Sequence, residues 1–317
     1  MTSSRAPEGG RAGATRQEDA VGVGRVCRVP AATTAVNPVE QPDAEQARPP
    51  ASAPPCAEDM ARCRLDIRLP PTLEARFEAT TEVAADAGWR AARAVLDDDL
   101  ERLVEDVRAV RRCASSAVAG SLFVLDYSRR LGWPVLDAHL RRGAWLEPGR
   151  HNVRLSPNAT GLPQVGFVIG PERGSRREVG EVVDALVADH LAHLVEAVHR
   201  ATGVGRRTLW GNVAVALTQV FMAFSWASDD RDRFLTTARQ VVADRSPLRG
   251  TVLLESVEHR DQEWMVVWRR SCCLAFRTEP AAPRSYCGTC CVLEHGERVA
   301  SFRRAADRYV EIERSRP

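Results

Sequence analysis

The sequence predicts an α+β fold that is mainly helical, and three observations lead there. Between about residues 70 and 250, apolar residues recur at three-to-four spacing in runs rich in Ala, Leu, Glu and Arg, which favour helix. Alternating runs are short and few. The clearest, GTVLLESV and QEWMVVWRR, flank His259-Arg260-Asp261 and predict a C-terminal β-hairpin. The hairpin leads into SCCLAFRTEPAAPRSYCGTCC and then VLEHGERVASFRRAADRYVEIER, a cysteine-rich loop followed by a terminal helix.

Each element has its own signal. Residues 1–59 are rich in Pro, Ala, Gly and Glu, contain no aromatic residue and show no periodicity, so they read as a disordered tail or an over-extended start. Cys27 and Cys56 in this stretch receive no role. Patterned sequence begins at Met60, giving a mainly helical domain over 60–250 and a C-terminal region over 251–317. TLEARFEAT and GWRAARAVLDDDLERLVEDVRAVRR read as helices, the second with Val95, Leu100, Leu103, Val104 and Val107 on one face. CASSAVAGSLFVLDYSRRLG predicts a helix stopping near Gly132, with Pro134 opening the next. Cys113 there is a small core residue. HNVRLSPNATGLPQVGFVIG predicts two strands around an Asn-Ala-Thr-Gly turn. REVGEVVDALVADHLAHLVEAVHRATG is an amphipathic helix closing at Gly203, and RRTLWGNVAVALTQVFMAFSW a helix buried all round.

Composition removes several chemistries. All 44 basic residues are arginine, so P-loop and Schiff-base mechanisms that need a lysine are excluded in their usual forms. A net charge of +2 with 27% charged residues is no nucleic-acid footprint, and no nucleic-acid partner is expected. No uninterrupted apolar run reaches transmembrane length, so no integral membrane segment is expected. With no signal-peptide pattern at the start, the expected compartment is the cytoplasm, where clustered cysteines mean metal or redox chemistry rather than disulfides.

Five of the 9 cysteines fall within residues 271–291. Cys287-Gly-Thr-Cys290 is a C-x2-C turn that can present two thiolates to one metal, and a second pair is needed to complete four. Cys272 and Cys273 supply that pair if the strand ends or bends there, since neighbours on a strand point to opposite faces. Adjacent cysteines reach the corners of one zinc tetrahedron with difficulty and a larger two-iron cluster more easily, so spacing favours iron–sulfur over zinc. Pro280 and Pro283 argue that the intervening loop is neither helix nor strand. Cys291 is a spare thiol. Arg269, Arg270, Arg277 and Arg284 bracket the cysteines, as cations that stabilise a reduced cluster, as a docking face for an acidic donor, or as compositional bias.

Other candidates read as structural. His190 and His193, with Asp189 and Glu196 nearby, have a metal-permissive helical spacing but suit a solvated or core-edge face better. His295 reads as an exposed loop residue, and Gly203-Val204-Gly205 lacks the third glycine of a dinucleotide site.

Arg269-Arg270-Ser271-Cys272-Cys273 followed by Cys287-Gly288-Thr289-Cys290 resembles the C-terminal 2Fe-2S motif of FhuF-type ferric-siderophore reductases. A weaker resemblance runs through Arg206-Arg207-Thr208-Leu209-Trp210-Gly211-Asn212. The loop between the cysteine pairs is longer than that family's, and Cys291 is additional. The resemblance implies a 2Fe-2S cluster on Cys272, Cys273, Cys287 and Cys290, no catalytic residue beyond the cluster, and release of iron from a ferric siderophore by one-electron reduction. Arg206, Arg207, Trp210 and Asn212 become candidate substrate-binding residues, although Trp210 suits a core anchor better. The electron donor is left unspecified. Two other functions stay open: a cluster protein sensing iron or redox state, and an interaction domain with a structural zinc.

Overall fold

The computed structural model describes residues 69–71, 76–77, 79–81, 83, 88–156, 162–278 and 286–315. The N-terminal stretch, most of TLEARFEAT, the Asn-Ala-Thr-Gly turn, Pro280, Pro283 and Arg284 lie outside these residues. Within them the fold is α+β and mainly helical, as the periodicity predicts.

In chain order the elements are β1 (Arg90–Ala91), α1 (Ala92–Asp98), α2 (Leu100–Val110), α3 (Ser116–Arg142), β2 (Ala144–Trp145), β3 (Val153–Ser156), β4 (Gln164–Phe167) and β5 (Glu172–Arg173). They continue with α4 (Val179–Ala185), a π-helical segment Leu186–Leu191, α5 (Ala192–Thr202), α6 (Arg206–Trp226), α7 (Arg231–Ala243), β6 (Val252–His259), β7 (Gln262–Arg269), the 3-10 turn Ala275–Arg277 and α8 (His295–Arg314).

The centre of the molecule is the packing of α3 against α6. α3 is capped by the Ser115 side chain, which accepts from the Val118 N–H (3.4 Å), and ends at Gly143 in the left-handed conformation. It runs unbroken through Gly132 and Pro134, so the expected break there is overturned. Gly132 is a site of close approach: a Cβ on it would sit 2.5 Å from Leu217 Cδ2 of α6. Next to it, Trp133 Nε1 donates to the Ala216 carbonyl (2.9 Å), and its ring stacks on Phe77 at 4.7 Å. Burial along almost the whole helix offsets the hydrogen bond that Pro134 removes.

The helix expected over 88–112 is divided at Asp99, which forms an ion pair with Arg90, and β1 precedes it. β1, β3 and β4 form one small sheet, with β3 antiparallel to both. α6 is long and apolar enough to span a membrane by length and mean hydropathy (1.3), and 78% of that stretch is buried within the protein. Asn212, Thr218 and Gln219 interrupt its apolar residues, so no unbroken apolar run reaches that length.

The β6–β7 hairpin turns at Arg260-Asp261, both left-handed, which suits a two-residue turn between twisted strands. β7 is buried on both faces. Met265 and Val267 join the main core, whereas Trp264, Val266 and Trp268 pack with Phe302 and Ala306 of α8 in a second one. Trp226 closes the second core edge-on to Trp264 (5.3 Å) and Tyr309 (5.5 Å).

The π segment carries His190, which is wholly buried. Its Nδ1 lies 2.9 Å from the Pro148 carbonyl and its Nε2 2.7 Å from the Tyr127 hydroxyl. A carbonyl only accepts, so Nδ1 holds the proton and Nε2 accepts from Tyr127. Burial lowers the imidazole pKa to about 4, with Arg150 and His193 adding repulsion. The unfolded chain therefore takes up this proton below the ordinary histidine pKa while the folded chain resists it. Stability should fall as pH drops from about 6.5 to 4, by about 3 kcal/mol in all from this group. Urea melts across that window should show a shallower decline for His190→Gln, which keeps a polar group but cannot titrate.

Candidate metal centre

The centre begins where β7 ends. The alternation that turns Met265 and Val267 towards the main core also turns Arg269 inward, leaving it 3% exposed. Its Nη1 donates to Asn212 Oδ1 (2.6 Å). Asn212, wholly buried on α6, donates in turn to the Ser121 carbonyl (2.7 Å) and hydroxyl (2.9 Å) on α3. The Ser121 hydroxyl donates to the Cys273 carbonyl (2.8 Å). The Arg269 backbone N–H meets the Thr289 carbonyl (3.1 Å). One polar chain through the core thus grips both cysteine-bearing segments.

Between the pairs the backbone turns sharply. Leu274 is left-handed, an uncommon conformation for a leucine, and its N–H reaches Cys272 Sγ at 3.3 Å. The following 3-10 turn is tied to the α2–α3 corner by Ala114 N–H to the Arg277 carbonyl (3.1 Å) and the Cys113–Thr278 bridge. The C-x2-C turn closes with Cys290 N–H to the Cys287 carbonyl (2.9 Å), and the Val292 N–H lies 3.5 Å from Cys290 Sγ.

These constraints bring all five cysteines into one thiol patch. Cys273 and Cys287 Sγ are 3.8 Å apart. Hydrogen bonds from Cys273 and Cys290 hold Cys287 far below the usual thiol range, with Arg269 adding to the effect. The two donors are pushed up, by those bonds first and by burial second. A hydrogen bond from Cys291 draws Cys272 down to about 6 against its burial. Cys273 and Cys290 are buried, whereas Cys272, Cys287 and Cys291 are partly exposed.

Thiolates are soft ligands suited to iron–sulfur clusters and zinc. Two sulfurs at about 2.3 Å from one tetrahedral metal stand about 3.8 Å apart, the separation of Cys273 and Cys287. Arg269 Nε is buried without a hydrogen-bond partner among the described residues, so a cation lies beside the thiols with capacity for an anionic centre. The residues fit a thiolate-bound group on these counts. Among the described residues no three His, Cys, Asp or Glu converge as a ready-made single-ion site, and the thiols are linked pairwise instead.

Of the other candidates, Asn212 is a buried strut. Trp210 is half-buried against the main core, Arg206 pairs with Glu196 (2.7 Å), and the Arg207 carbonyl accepts from Ser271 (3.4 Å). Arg270 and Arg277 are exposed. His190 belongs to the core rather than to its edge, while Asp189, His193 and His295 are exposed. Cys113 is buried in the main core, apart from the thiol hydrogen bonds. Ser121 carried no sequence signal, being an ordinary small residue whose partners lie 91 and 152 positions away.

Residues 121–261 match the family model described as ferric iron reductase FhuF-like transporter. Over this stretch the chain is similar to that family. The match includes Ser121 and Asn212 and ends just before the thiol patch. No curated protein matches the chain significantly.

Asn212→Ala should leave the buried guanidinium of Arg269 and the Ser121 carbonyl without their partner. The expected loss is about 2–3 kcal/mol in urea unfolding, together with a lower metal content per chain as isolated. Asn212→Asp, which keeps an acceptor for Arg269, should recover part of both.

Proposed function

We propose that this protein is a cytoplasmic reductase of ferric siderophores, with a 2Fe-2S cluster on Cys272, Cys273, Cys287 and Cys290. The observation that carries the reading is the thiol patch against a buried arginine, in a chain whose central stretch matches a ferric iron reductase family. When bound, a four-thiolate cluster supplies single electrons at low potential.

The chain's own residues bind, orient and tune. The four cysteines provide the thiolates, and the Ser121–Asn212–Arg269 chain fixes the segments that carry them. Arg269 offsets negative charge from within the core, where water screens little. The Leu274 and Val292 N–H groups, directed at Cys272 and Cys290, do the same at shorter range. Cys291 supplies a hydrogen bond to Cys272 rather than a ligand. Partial exposure of Cys272 and Cys287 leaves a short path for an electron to the surface.

The substrate change is Fe3+ plus one electron to Fe2+, with the electron drawn from an external one-electron reductant. The hard oxygens of a siderophore hold the ferrous ion far less well, so reduction releases it. No proton transfer or covalent intermediate is required of a side chain.

Anaerobically purified protein should be coloured and contain iron and acid-labile sulfide in equal amounts. After reduction by dithionite and removal of the excess, it should return to the oxidised spectrum on adding a ferric siderophore, as ferrous iron appears in a chelator. Serine at Cys272, Cys273, Cys287 or Cys290 should abolish colour and transfer, whereas Cys291→Ser should keep the iron and shift the potential. Colourless protein with one zinc would establish the structural-zinc function. A reduced cluster indifferent to every ferric siderophore, but altering binding to a partner, would establish a sensor.

A further inference from the structure

A cavity of about 570 Å3 opens beside the middle of α3, lined among the described residues by Arg76, Arg111, Arg129 and Arg130 with Trp133 and the carboxylate of Asp126. Asp126 is already engaged, 2.6 Å from Arg111 Nη2 and 3.3 Å from Arg129 Nη1. Arg129 Nε is taken up by Gln219 Oε1 of α6 (3.0 Å). Neither Arg76 nor Arg130 has an ion pair among the described residues. Among the described lining residues, four guanidinium groups therefore stand against one carboxylate. Burial lowers the Arg129 pKa, Asp126 opposes this, and repulsion from Arg269 and Arg76 adds to the lowering. Such crowding of like charge is unfavourable in the empty protein and favourable around an anion, because a concave wall focuses the field.

The position matters as much as the charge. Arg129 follows Ser121, whose hydroxyl holds Cys273, by eight residues on the same helix, a rise of about 12 Å. Arg129 is also near enough to Arg269, the buried cation of the thiol patch, for the two to repel each other. The volume lies in the range of small-molecule sites, about 300–1,000 Å3. Guanidinium forks match carboxylate and other paired-oxygen anions, and the Trp133 indole adds an apolar wall.

We propose that this pocket is the oxidant's seat, and that it selects polyanionic ferric chelates, those whose ligands carry surplus carboxylate or catecholate charge, over neutral or cationic ones. The inference rests on the reductase reading for its iron, and on the pocket alone for its charge preference.

Gallium(III), equal in charge to ferric iron and not reducible under these conditions, separates binding from electron transfer. Titration of gallium citrate into the full-length protein, followed by calorimetry and tryptophan fluorescence, should show binding that weakens by about tenfold or more in Arg76→Gln/Arg130→Gln, since removing one charge-assisted hydrogen bond changes affinity by about that factor. Arg76→Lys/Arg130→Lys should recover most of the affinity, and a cationic gallium trihydroxamate should bind poorly to every form. Unchanged melting temperature and metal content in the glutamine variant would show that the fold is intact. Equal affinity of wild type and that variant for gallium citrate, no binding at all, or tighter binding of the cationic complex would each overturn the proposal. Charge-dependent binding of gallium citrate without reduction of ferric citrate or of any ferric siderophore would keep the pocket and remove the reductase reading.

Discussion

The structure turns on a guanidinium buried where strand, helix and cysteine loop meet. Arg269 is nearly inaccessible, and a cation in that position is tolerated only with partners that compensate for lost water. Asn212 provides one, and the Nε is left without a hydrogen-bond partner among the described residues. Because Asn212 also holds Ser121, and Ser121 holds Cys273, the cost of burying the charge is tied to the geometry of the cysteines. A change at any member of this chain alters both stability and the thiol patch.

That arrangement is possible only because α3 and α6 approach closely. Gly132 against Leu217 and Trp133 against the Ala216 carbonyl set the crossing at one level, and Ser121 against Asn212 at another. β7 then lies between α6 and α8, with its residues from Trp264 to Trp268 alternating between the two cores until Arg269. The thiols therefore hang from the close-packed α3–α6 contact, although their loop has little regular structure. Rigid support of this kind limits reorganisation when charge changes at a redox centre.

Along α3 two electrostatic environments follow one another. Near Ser121 the buried Arg269 meets the thiol patch, where hydrogen bonds draw Cys287 and Cys272 below the usual thiol range. Further along, several arginines crowd one cavity with little acid to balance them. The first suits an anionic resident group and the second an anionic visitor. Their spacing along one helix gives the two halves of the proposed reaction a common frame.

Much of this was legible in the sequence. The three-to-four periodicity of α2 and α5, the all-round apolar character of α6, the hairpin around Arg260-Asp261 and the cysteine spacing report local physics, in which side-chain period and turn chemistry act over a few residues. The break expected at Gly132 and Pro134 did not occur, since burial against α6 outweighed a local rule. The membrane-length character of α6 escaped a test for uninterrupted apolar runs, because buried Asn212 and Thr218 satisfy themselves with hydrogen bonds inside the protein. Arg269 looked like one more charge in an arginine-rich chain, and only the strand's direction into the core made it a buried cation. Ser121 and the four pocket arginines carried no signal at all. Their roles arise from interactions between residues tens to more than a hundred positions apart. The sequence by itself determined which segments are helix, strand and cysteine loop, while tertiary packing decided which polar groups face one another, because hydrogen bonds and fields act through space.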